Sequence, residues 1–91
     1  MKARYAARAK KFEDIPNVGP RVARDFRILG FTKPNQLKNK NPYKLYQIIN
    51  KKTGTRQDLC LLDVLMSVVD FMNGASPRPW WHYTPERNMI P

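Results

Sequence analysis

The chain has 91 residues, of which 42% are apolar, with 17 Lys or Arg against 7 Asp or Glu and a net charge of +10. That length supports one compact domain and not two, and that apolar share is enough for a core, which excludes wholesale disorder. One cysteine, Cys60, excludes an internal disulfide or thiolate cluster, and one histidine, His82, excludes a histidine dyad and the usual zinc ligand sets.

The N-terminal stretch reads as a helix over about Lys2–Glu13, with Tyr5, Ala9 and Phe12 on its apolar stripe and Arg4, Arg8 and Lys11 on its basic side. It lacks the apolar centre of a signal peptide. The turn Ile15-Pro16-Asn17-Val18-Gly19 leads to a second helix from Pro20, a residue suited to a first helical turn. Val22, Ala23, Phe26 and Leu29 face inward there, and Arg21, Arg24 and Arg27 face solvent. A short turn follows Thr32, with Pro34 early and Leu37 inward. Asn41-Pro42 reads as a cap and first-turn proline for a helix over about Pro42–Lys51 that buries Leu45, Ile48 and Ile49. Thr55-Arg56-Gln57-Asp58 resembles a capping box for the longest helix, about Arg56–Asn73. That helix is apolar except for Asp63, Ser67 and Asp70 on one side, so it should be the central one. Gly30, Gly54 and Gly74 stand where left-handed helix ends belong. Beyond Gly74, Pro77, Pro79, Pro85 and Pro91 accompany Trp80, Trp81 and Tyr83. The expectation is an extended tail over 75–91 whose tryptophans fold back onto a helical domain over 1–74. The class is all-α, with five helices.

The charge is uneven. Residues 1–52 hold 14 basic and 3 acidic residues, net +11, and residues 53–91 hold 3 basic and 4 acidic, net −1. The first half is therefore the candidate contact surface for an acidic partner. Ile15-Pro16-Asn17-Val18-Gly19-Pro20-Arg21-Val22-Ala23 resembles the helix-hairpin-helix motif, apolar-Pro-Gly-apolar-Gly-x-x-x-Ala. In that motif free peptide N–H groups and the positive end of the second helix hold a phosphate oxygen. Asn17 stands where glycine is usual, and Pro20 removes one donor. Lys51-Lys52-Thr53-Gly54-Thr55-Arg56 admits two readings, a second, degenerate hairpin or a capped loop with solvated lysines. The candidate nucleic-acid contacts are Asn17, Val18, Gly19, Arg21, Arg24, Lys51, Lys52, Gly54, Thr55 and Arg56.

Over residues 12–82 the chain also resembles the pathogenicity-locus helix-hairpin-helix family, itself similar to the C-terminal domain of competence regulators. The matching pieces are Ile15 to Pro20, Asp25-Phe26-Arg27-Ile28-Leu29-Gly30, Asn41 to Tyr46, Asp58-Leu59-Cys60 and Trp80-Trp81. The resemblance implies a compact helix-hairpin-helix (SAM-like) fold and a DNA-related role. Some members carry a drug-resistance or DNA-repair label.

No catalytic constellation is visible. Cys60, inside Leu59-Cys60-Leu61-Leu62, reads as a buried thiol, His82 has no orienting carboxylate nearby, and Asp63 and Asp70 read as a solvated stripe or as partners of basic helices. A DNA glycosylase needs an aspartate ~20 residues past the hairpin glycine and a second lobe to receive a flipped base. Residues 32–40 contain no acid. The expectation is a cytoplasmic, nucleoid-associated module without enzymatic activity or cofactor. It would grip duplex DNA phosphates without reading sequence and make no membrane contact. The alternative is a protein-interaction adaptor using the helices and Trp80-Trp81.

Overall fold

In a computed structural model that describes residues 2–89, short polar caps and prolines start the helices. Met1, Ile90 and Pro91, the ends of the basic N-terminus and the proline-rich tail, lie outside the described residues. Helix α1 (Pro20–Ile28) carries Pro20 in its first turn. Helix α2 (Pro42–Thr53) is opened by Asn41, whose side chain accepts from the N–H groups of Tyr43 and Lys44. It closes at Gly54, whose φ of 68° is left-handed and costs a glycine little. Helix α3 (Leu59–Met72) is capped by the Asp58 carboxylate, which accepts from the Cys60 N–H, and α4 (Thr84–Arg87) is a single turn. Short 3-10 turns stand at Ala6–Arg8, Phe12–Asp14, Pro34–Leu37 and Trp80–Tyr83. No strand occurs among the described residues, and no helix is long and apolar enough to cross a membrane.

Helix α3 is the centre, as its composition requires. Leu62, Leu65, Val68, Phe71 and Met72 are buried on it, and α2 covers it with Leu45, Tyr46 and Ile49. The Trp80–Tyr83 turn packs along it from another side. Helix α1 contributes Ala23 and Phe26, the latter 5.3 Å between ring centres from Phe12. Ile15, Val18 and Leu37 complete the core.

Several expectations are corrected. The five helices become three long α-helices, one α-turn and the 3-10 turns. Residues 2–13 do not form one helix, because Asp14 draws the segment together. Its carboxylate accepts from the N–H groups of Lys10 and Lys11, and its carbonyl from Ala3 N–H at 2.7 Å. In a helix, with ~1.5 Å rise per residue, Ala3 and Asp14 would lie ~16 Å apart. Ala9 and Phe12 are buried as expected, but Tyr5 is exposed. On α2 the exposed Ile48 yields its inward place to Tyr46, and α3 begins at Leu59 because Asp58, not Thr55, is the cap. Cys60 is exposed, since it lies in the first turn of α3 before the helix enters the core.

The tail is folded, not extended. Tyr83 takes the buried aromatic position, Trp80 is half-buried, and Trp81 stands exposed edge-on to Trp80 at 5.6 Å. On the α3 stripe Asp63 and Ser67 are buried and Asp70 is half-buried, so at Asp63 the paired reading holds and not the solvated one. Asp63 is fully buried and accepts from Arg87 Nε at 2.9 Å and Thr84 Oγ1 at 2.8 Å, and Ser67 Oγ donates to the Val64 carbonyl.

Candidate nucleic-acid interface

The turn before α1 is built by residues far apart in sequence. Asn17 takes the left-handed conformation, with φ of 72°. Its amide nitrogen donates to the Arg78 carbonyl at 2.7 Å and to Ser67 Oγ at 3.2 Å. Lys2 Nζ donates to the carbonyls of Glu13 and Val18. Val18 is buried and its N–H is bonded to the Ile15 carbonyl, so neither its side chain nor its donor faces out. The Asn17 amide is likewise committed inward. In the unbound structure, Val18 and the Asn17 amide nitrogen thus serve the turn itself.

Gly19 is exposed and extended, with φ of −97° and ψ of −174°. A Cβ added there meets no atom within 4 Å. The first α-helical bond beyond it runs from Ala23 N–H to the Gly19 carbonyl. The N–H groups of Arg21 and Val22 therefore precede any intrahelical acceptor and point out of the helix start. Arg21 and Arg24 are exposed beside them. The segment before the turn is the 3-10 turn Phe12–Asp14, so the first helix of a hairpin motif is absent here.

Arg21 Nη2 donates to Gln57 Oε1 at 2.7 Å, which sets the α2–α3 linker against the start of α1. The linker holds its own shape. Gln57 N–H donates to Asn50 Oδ1, and Tyr46 hydroxyl donates to the Gln57 carbonyl. Lys51, Lys52, Thr55 and Arg56 are exposed around Gly54. The start of α3 differs from that of α1. The Asp58 carboxylate already holds the Cys60 N–H, and that bond keeps Asp58 below the usual carboxylate range. A negative charge occupies the position where a phosphate would sit, so this linker offers lysine and arginine side chains instead of a helix end.

A family model described as pathogenicity locus matches residues 5–89. The chain belongs to that family. A relative from Streptomyces lavendulae described as mitomycin resistance protein McrB is 49% identical over 76 residues, covering 84% of this chain and 72% of the relative. No solved structure matches the chain.

This pathogenicity-locus chain also has a feature that its sequence pattern hides. Asp25 lies on the inward side of α1, 4% exposed, and its Oδ2 has no hydrogen-bond partner. Burial pushes its carboxyl above the usual range, while Arg21 and Arg24 pull it back. One signal was available, because Asp25 falls between Val22 and Phe26 on the apolar stripe, where an aspartate is rare unless paired.

Proposed function

We propose that the chain binds the phosphates of duplex DNA without reading base sequence. The observation that carries this reading is the open start of α1. There the Arg21 and Val22 N–H groups and an unobstructed Gly19 lie within the half of the chain that bears +11. Arg21 and Arg24, with Lys51, Lys52 and Arg56 across the Arg21–Gln57 bridge, supply the surrounding field. The mitomycin resistance named for the relative extends to this chain as a drug-resistance role exercised on DNA. Nothing in this mechanism requires catalysis.

The test compares Gly19→Val with Lys33→Ala. Gly19 is extended with open space, so valine leaves the fold intact and covers the phosphate site. Duplex affinity should fall strongly in Gly19→Val at unchanged melting temperature, and little in Lys33→Ala. Neutralising about five phosphates gives a slope of log affinity against log salt near −4 to −5. Equal losses in both variants would reduce the interface to a diffuse basic cloud, and no binding at low salt would end the reading. A second reading, a protein-docking surface, is favoured by the exposed Trp81 and Met89. Self-association seen by elution volume and abolished by Trp81→Ala would support it.

A further inference from the structure

We propose that a pocket beside this surface binds a small organic cation made of one ring and a primary ammonium group. The pocket encloses about 290 Å³ between α1, the start of α3 and the Trp80 turn. That is near the lower end of small-molecule sites and ample for a one-ring ligand. Its apolar walls are Val22, Leu61, Val64 and Trp80. Asp25 lines it with its carboxyl group, whose Oδ2 is fully buried and is the one side-chain oxygen or nitrogen among the described buried residues that lacks a partner.

The pocket lining holds two carboxylates, Asp25 and Asp58, against one guanidinium, Arg21. Arg21 is the cation at the rim, and its guanidinium is turned to Gln57. Arg24 is exposed on the outer side of α1. Asp58 adds a second carboxylate at the rim, and the Cys60 thiol beside it is held above its usual range by its hydrogen bond to Asp58, so it stays neutral. A protein of net charge +10 thus carries an acid-lined, partly aromatic recess. An incoming ammonium gives the Asp25 carboxylate a donor, and the ring covers the indole of Trp80.

The experiment titrates isotope-labelled full-length protein with benzylamine and, separately, with benzyl alcohol. It follows the methyl signals of Val22, Leu61 and Val64 and the indole N–H of Trp80. Benzylamine should give saturable shifts with Kd on the order of 1 mM. Benzyl alcohol should bind at least about tenfold more weakly. Asp25→Asn should weaken benzylamine by a similar factor and leave benzyl alcohol unchanged. Equal binding of amine and alcohol, undiminished amine binding by Asp25→Asn, or no saturable shift at tens of millimolar would each overturn the proposal. The amine–alcohol comparison decides the matter in the wild-type protein even if the variant folds poorly. No nucleic acid enters the test, so its outcome is independent of the DNA reading.

Discussion

Replacing Arg87 by methionine strands a buried charge. Asp63 is fully buried and accepts from Arg87 Nε at 2.9 Å, Arg87 Nη2 at 3.4 Å and Thr84 Oγ1 at 2.8 Å. Without the guanidinium, one hydroxyl remains to serve an anion inside the protein. Removing one partner of a buried pair costs about 3–5 kcal/mol. The Arg87 side chain is 17% exposed, so water reaches one end of the pair and the loss should fall near ~2–3 kcal/mol. That is a large share of the ~5–15 kcal/mol that holds a small domain together. At ~4–8 °C per kcal/mol the melting temperature should drop by at least about 8 °C. Urea unfolding followed by circular dichroism measures the loss, and the double variant Asp63→Asn with Arg87→Met closes a cycle. Removing both charges should recover most of the stability, because no unpaired ion remains. A loss below ~1 kcal/mol for Arg87→Met, or additive single losses, would refute the reasoning.

Asn17→Ala removes two side-chain hydrogen bonds and places alanine at a φ of 72°, so it should cost about 2–3 kcal/mol by chemical denaturation. The Asp25 carboxyl lies above its unfolded value when folded, so its stabilising contribution is present at low pH and lost as pH rises through the raised value. Asp25→Asn should therefore raise the melting temperature at neutral pH, and its advantage over the wild type should shrink as pH falls towards about 3.9, the usual aspartate value. Cys60 is exposed with its thiol pushed up, first by its hydrogen bond to Asp58, so a disulfide reagent should label the native protein, but more slowly than free cysteine at pH 8. Labelling that waits for urea would contradict the exposed position.

Features that depend on neighbouring residues were legible in the chain. Asn41-Pro42, Pro20 and Gly54 mark helix ends through local backbone chemistry, and the apolar density of residues 59–72 marks the central helix. What the pattern could not show was set by distant partners. Asp63 looks like a surface aspartate until Arg87 is brought to it, and Lys2–Glu13 looks helical until Asp14 takes up its N–H groups. At the candidate interface, the exposed arginines and lysines follow from spacing, but the inward turns of the Asn17 amide and of Val18 do not. Tyr83, and not Trp81, is the tail's buried ring, a choice made by the turn at residues 80–83 and invisible to composition.

The bond from Asn17 to the Arg78 carbonyl spans 61 positions of the chain. A contact of that separation has a high closure entropy and belongs to the late part of folding, after the helices have collapsed. On the ribosome, α1 emerges long before residue 78, so the helix can form while the loop that precedes it still samples other shapes. Docking of the tail then acts as a maturation step for the opposite end of the sequence. A nascent or tail-clipped chain would carry nearly the same positive charge yet present a different, less ordered loop to whatever it met.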